Sequence, residues 1–209
     1  FDDPTWLVFG LNQLYRHIPR ADCWADVHVN WASENVEGTD HPGYLAECGM
    51  PVFMTQTEST IPTSVRFPLQ RVIDRVVGTD YFTSTVAFMV AWAIMNIDEQ
   101  VDSEVLALGA RATAVNGPET QADAEDARAL LLNPTKFRRW LSERYAEREI
   151  GIFGIDLIVG TEYDWQKSCV EYILGLANAR GITVRIPPQS ALLKQQWRYG
   201  YETEPANQL

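Results

Sequence analysis

The sequence predicts an α/β fold: a mostly parallel sheet flanked by helices, carrying a helical insertion. Three observations point there. Short apolar segments of strand length alternate with longer segments of helical period, the signature of βαβ units. The run Glu-Ile-Gly-Ile-Phe-Gly-Ile-Asp at 149–156 is apolar on both faces, as a central strand of a parallel sheet has to be. Between Asp98 and Arg148 the chain turns charged and Ala-rich, which interrupts the alternation and reads as an inserted helical element.

The elements follow in order. Trp6–Gly10 is an apolar run that enters a loop at Asn12, so it is the first strand. Ala25–Asn30 alternates apolar and polar residues and is the second. Residues 42–48 make a short helix closed by Gly49, and 51–55 make the third strand. Residues 57–68, rich in Thr, Ser and Pro, are a loop; 69–77 are helical. Thr83 or Ser84 caps a helix that reaches about Asn96, because a hydroxyl there accepts an orphan backbone N–H. Val86, Val90, Ala93 and Ile97 recur at helical spacing, and Phe88, Met89 and Trp92 cover the other faces, so this helix is mostly buried. Asn116-Gly-Pro118 and Asn133-Pro134 divide the insert into about three helices. After the strand at 149–156 a helix runs to Arg180, with Val170, Ile173, Leu174 and Ala177 on one face and Gly181 as its C-cap. Residues 182–186 form the last strand, stopped by Pro187-Pro188. Ser190–Lys194 is a short closing helix, and the tail from Gln195 is peripheral.

At 209 residues, 46% hydrophobic and 22% charged, the chain has a globular composition, which excludes disorder, collagen-like repeats and a coiled coil as the main architecture. A single domain over 1–209 is expected, with 98–148 inserted within it. No apolar run has the length of a membrane span, and the longest, Val86–Ile97, is a buried helix. The balance of 17 basic against 28 acidic residues, net −11, argues against indiscriminate contact with a phosphate backbone, so nucleic acid is not a favoured partner. Lys136, Arg138, Arg139, Arg144 and Arg148 form the one dense basic cluster and read as a solvated helix face. The insert also offers a surface for a homo-oligomer. Cys23, Cys48 and Cys169 are odd in number and form no C-x-x-C pair, which argues against disulfides and structural zinc and for a reducing cytoplasm. Phe1–Arg20 lacks the basic and apolar regions of a secretory signal. Because the chain begins at Phe1 rather than Met, a segment upstream is expected to be missing.

In parallel α/β sheets ligands sit at the carboxyl ends of the strands. That rule selects Asn12, His28, Asn30, Thr55, Gln56, Thr83–Thr85 and residues 156–166. Thr83, Ser84 and Thr85 open a buried helix, where hydroxyls and free N–H groups favour an anion; capping alone needs only one of the three. Asn12 can bond a base, a ribose or a phosphate, or hold its own loop. His28 and Asn30 share one face near a strand end. Asp156 ends a strand where a carboxylate is costly unless paired, capping or meeting a ligand. Glu162 and Tyr163 can supply a general base and a phosphate donor, although Glu162 and Asp164 equally suit the first turn of the next helix. There is no GxGxxG, GxxxxGK[ST], HExxH, GxSxG or DxD motif, so classical dinucleotide binding, P-loop chemistry, zincin proteolysis, the hydrolase elbow and metal-dependent sugar transfer lack support.

Five segments carry a resemblance: WLVFGLNQLY at 6–15, YFTSTVAFMVAWAI at 81–94, GIFGIDL at 151–157, EYDWQ at 162–166 and GITVRIPPQSALL at 181–193. In this order they resemble a group of bacteriophage Rossmann-like proteins. More distantly they resemble the bacterial sialyltransferases of lipooligosaccharide and the MptE-like pterin diphosphokinase and flagellin-modification proteins. The resemblance spans most of the chain outside the insert. It implies a nucleotide-sugar site in which Asn12 contacts the nucleotide, Asn30 and His28 lie near it, Thr83 and Ser84 hold the phosphate, and Tyr163 helps the phosphate leave. The chain departs from the sialyltransferases in carrying Thr85 where they have Gly, and in lacking a match to the lid that bears their catalytic His. Related chains also begin with one more strand and a Gly/Ser loop.

Residues and resemblance together lead to a metal-independent, glycosyltransferase-like enzyme with no bound cofactor. It would be phage-encoded, cytoplasmic in the infected host cell, and use a nucleotide-sugar donor and a hydroxyl acceptor on a modified DNA base, glycan or protein. Thr83, Ser84, Thr85, Tyr163 and Gln166 would hold phosphate, Asn12 and Asn30 the nucleoside, and Glu162, Asp156 or His28 would be the base. Two alternatives stand beside it. One is an MptE-like phosphotransferase needing Mg²⁺, held by Asp156 with Glu162 or Asp164. The other is a non-catalytic nucleotide-binding or virion-associated module.

Overall fold

The computed structural model describes residues 2–33, 38–114, 118–155, 157, 164–193, 197–198 and 201–205. The chain forms two compact units, Phe1–Met89 and Val90–Leu209. It is a mixed α/β chain whose main sheet is four-stranded and parallel, as the alternation of strand and helix patterns predicts.

The first unit is built on that sheet: β1 (Phe9–Leu11), β2 (Cys23–Ala25), β3 (Val52–Met54) and β4 (Ser64–Arg66), adjacent in sequence order. The register sets Leu11 beside Ala25, Ala25 beside Phe53, and Phe53 beside Val65. One step further along, Asn12 N–H donates to the Ala25 carbonyl, Asp26 N–H to Phe53 and Phe67 N–H to Met54. Asn12, Asp26, Met54 and Arg66 therefore form a row at the carboxyl edge.

β2 lies upstream of the alternating stretch at 25–30. Cys23, Trp24 and Ala25 are all buried, the continuous pattern of a parallel strand, whereas Val29 is 88% exposed. Polar alternation points downstream of the strand because Asp26 is buried by hydrogen bonds rather than by apolar character. β4 falls inside the stretch expected to be a loop. It is an edge strand of Ser, Val and Arg with two exposed positions, so it carries no hydrophobic signal.

Helix α1 (His41–Glu47) joins β2 to β3, with the Asp40 carboxylate accepting from Gly43 N–H as N-cap. Trp24, Leu45, Val52, Met54 and Ile61 form the core of this unit, with Tyr15 and Tyr44 packed on it. Gly10 pairs with Trp24 across the strands, and a Cβ at Gly10 would collide with the Trp24 ring. The absence of that Cβ lets the indole lie over β1 and donate from Nε1 to the Asn12 carbonyl at 2.9 Å. Helix α2 (Leu69–Val72) continues as a π-helical turn over Ile73–Val77 that stops at Gly78, whose φ of 74° is left-handed.

Helix α3 (Thr85–Thr113) starts in the first unit and continues into the second, far beyond the expected end near Asn96. The polar residues after Ile97 extend the helix because the buried stripe persists through Val101, Leu108 and Ala112. With α4 (Pro118–Leu131) and α5 (Pro134–Ala146) it accounts for the expected insert, and Asn133 caps α5 through Thr135 and Lys136 N–H. β5 (Glu149–Gly151), α6 (Asp164–Arg180) and β6 (Thr183–Arg185) follow as one βαβ unit with a parallel pair. β5 covers only the start of the expected strand at 149–156 and pairs with β6 alone among the described strands; Phe153 beyond it is 57% exposed. Val170, Ile173, Leu174 and Ala177 form the fully buried face of α6, and Gly181 has a φ of 88°. Residues 190–193 are not helical; Ser190 Oγ instead accepts from Leu192 N–H and donates to the Ile155 carbonyl. β7 (Trp197–Arg198) and β8 (Tyr201–Pro205) pair as an antiparallel hairpin in the tail. Among the described residues no helix is long and apolar enough to cross a membrane.

Candidate functional site

The carboxyl edge of the four-stranded sheet is the best-built candidate. Asp26 leaves β2 with its side chain fully buried. His28 binds its carboxylate twice: the backbone N–H at 3.1 Å, and ring Nδ1 at 2.9 Å to the same oxygen. The other oxygen meets His41 Nε2 at 2.6 Å, at the first position of α1. Burial alone would raise the Asp26 pKa. The hydrogen bonds from the two rings and the His28 N–H outweigh that cost and hold it at about 2. An ionised carboxylate only accepts, so both imidazoles donate to it. That fixes the tautomers: His28 carries its hydrogen on Nδ1, and Nε2 becomes its basic nitrogen.

The two histidines differ in surroundings. His41 is buried, and the Tyr15 ring stacks on it with centroids 5.7 Å apart and on Tyr44 at 4.0 Å. The His28 side chain is 38% exposed. One histidine thus anchors the carboxylate from within, while the other is oriented by it at the surface. Asp26 and His41 escape sequence reasoning. The signal that finds them is the Asp-x-His spacing at a strand end with a second His at the start of the next helix.

Asn12 follows β1 with a φ of 46°, a left-handed conformation that Asn tolerates better than most residues. Its side-chain oxygen is buried and accepts no hydrogen bond. Asn30 is exposed two residues past His28. Ser84 is the N-cap of α3, its hydroxyl accepting from Ala87 N–H at 3.3 Å. Thr83 is half-buried, while Thr85 is 3% exposed and its hydroxyl has no partner. Asn12, His28, Asn30 and Thr83–Thr85 all belong to the first unit; Gln166, half-buried on α6, belongs to the second. Asp156, Glu162 and Tyr163 lie outside the described residues.

No protein-family model, curated protein or solved structure matches this chain.

Two of the three cysteines are closed to chemistry. Cys23 is buried and its thiol is pushed up to about 12 by burial, with the Asp22 charge adding to it; Cys169 is fully buried. Among the described residues, no His, Cys, Asp and Glu group has the arrangement of a metal site. The basic cluster of the insert is largely neutralised internally. Arg139 pairs with Glu143, Arg144 with Glu147, and Arg148 with Glu104.

Proposed function

We propose that the chain is a glycosyltransferase-like enzyme on a Rossmann-like frame, moving a sugar from a nucleotide-activated donor to a hydroxyl acceptor. The observation that carries this reading is the Asp26 carboxylate clamped between His28 and His41 at the carboxyl edge of a parallel sheet. A histidine held by a buried carboxylate, in the tautomer that leaves Nε2 basic, is suited to take the proton of an attacking hydroxyl. His28 is accordingly the base in this reading, with Asp26 and His41 as positioning residues.

The departing phosphate would meet Thr83, Ser84 and Thr85 at the start of α3, where a long helix favours negative charge. The orphaned Asn12 oxygen would accept from the nucleoside. In this reading the histidine activates the acceptor hydroxyl, and the donors at the head of α3, rather than a metal, meet the charge on the leaving phosphate. The segments that carry the resemblance to phage proteins and sialyltransferases include Asn12 and Thr83–Ser84, and that resemblance makes the protein phage-encoded in this proposal.

The test is turnover and melting temperature with CMP-, UDP-, GDP- and dTDP-sugars in EDTA. A donor at about 100 times its Kd adds roughly 2.7 kcal/mol of stability, which shows as a raised Tm. His28→Ala is expected to lower turnover about 10²- to 10⁴-fold while donor affinity is kept. Full turnover by that variant removes His28 as base. Activity only with ATP and Mg²⁺ replaces glycosyl transfer by phosphotransfer.

A further inference from the structure

A cavity of about 350 Å³ opens beside the carboxyl ends of β3 and β4, within the size range of small-molecule sites. Thr55, the first residue past β3, and Arg66, the last of β4, line it with Arg71 of α2. Phe67 and Phe88 supply an aromatic wall, their rings edge-to-face at 5.1 Å. Phe88 stands in the first turn of α3, where its N–H donates to the carbonyl of the Ser84 cap.

The charge at this cavity runs against the rest of the chain. The whole protein is net −11, and residues 1–89 contain only Arg16, Arg20, Arg66, Arg71 and Arg75 as Arg or Lys. Two of these line this one cavity. Arg20 pairs with Asp22, but Arg66 makes no ion pair among the described residues. On the same helical stretch, the Asp74 carboxylate accepts from the Gln70 amide at 2.8 Å. Guanidinium groups grip phosphate oxygens through paired N–H donors, and the Thr55 hydroxyl adds another donor. Aromatic walls accept the flat, apolar face of a base.

We propose that this cavity is the diphosphate subsite: Arg66 and Arg71 clamp the phosphates of a nucleotide-activated ligand while Phe67 and Phe88 pack against its base or sugar. This rests on the reading above for the identity of the ligand, and on the cavity itself for the phosphate.

The test is calorimetric titration of the full chain with inorganic pyrophosphate and with CMP, for wild type, Arg66→Gln, Arg71→Gln and the exposed control Arg16→Gln. Arg66 and Arg71 are exposed, so both variants are expected to melt as wild type does. Pyrophosphate is expected to bind the wild type, with affinity at least tenfold weaker in each cavity variant, unchanged in Arg16→Gln, and falling with added salt. No pyrophosphate binding by the wild type, or equal binding by the cavity variants, overturns the subsite. The two proposals fail separately. Arginine-dependent pyrophosphate binding without turnover of any sugar nucleotide leaves the subsite standing and removes the transferase. His28-dependent turnover with an unchanged KM in both arginine variants keeps the transferase and removes the subsite.

Discussion

Asp26 shows how a charge can be buried in a small sheet. Its carboxylate has no exposure, yet it stays ionised because three N–H donors converge on its two oxygens. Its folded pKa of about 2 lies below the ordinary 3.8, so the stabilisation it provides is complete above 3.8 and fades as the pH falls towards 2. That gap corresponds to on the order of 2 kcal/mol. Asp26→Asn leaves the ring N–H groups facing a weaker acceptor and a competing amide. It should cost about 1–3 kcal/mol at neutral pH. Acid titration of the variant, followed by circular dichroism, should lack this component of the decline between pH 3.8 and 2. An unchanged acid limb would mean that the carboxylate is not held as described. Asn12 presents the reverse case, a buried oxygen with no partner. A ligand donor there would relieve a cost that the folded chain otherwise carries.

Among the elements, β1 and β2 depend on one missing side chain. Gly10→Ala pushes a methyl group into the Trp24 ring and is expected to cost about 1–3 kcal/mol. The loss should appear as a lower Tm, with a changed fluorescence of the displaced indole. At the head of α3, Ser84→Ala removes the hydroxyl that caps Ala87 N–H, and about 1 kcal/mol of stability with it. Thermal melts measure that loss, and a Ser84→Asn variant, which keeps a capping oxygen, should recover most of it. These elements also show what the sequence makes legible. Helices announce themselves through caps and breakers: Asp40, Ser84, Asn133-Pro134 and Gly181 all stand at helix boundaries. Strands of three residues are too short to display a period. β2 therefore lies a few residues before the stretch that alternation picks out, and the polar edge strand β4 carries the composition of a loop. At the site, His28 and Asn12 were legible because they follow strands. Asp26 was not, since a polar residue in an alternating run resembles a solvent-facing one until its partners are seen. His41 was hidden because its partner is distant in sequence.

At the scale of the whole molecule, long-range polar contacts tie the second unit together. Asp98 on α3 accepts from Tyr145 of α5 at 2.9 Å and from Arg180 at the end of α6 at 3.1 Å. Burial, with the Asp98 contact beside it, pushes the Tyr145 hydroxyl up to about 12, so it remains a donor across the whole range in which the protein is handled. The same economy explains why an arginine-rich insert sits in an acidic protein: Arg144 and Arg148 meet carboxylates of their own helical layer. The cysteines have a different consequence. Each compact unit holds one inaccessible thiol, Cys23 in the first and Cys169 in the second, while Cys48 is half-buried. The native chain is thus its own pair of opening gauges. A thiol reagent should consume Cys48 first, then Cys23 and Cys169 only as fast as their surroundings breathe. Mass spectrometry of the labelled peptides would follow all three, and Gly10→Ala should quicken Cys23. A Cys23 that reacts as fast as Cys48 would contradict the packing around Trp24.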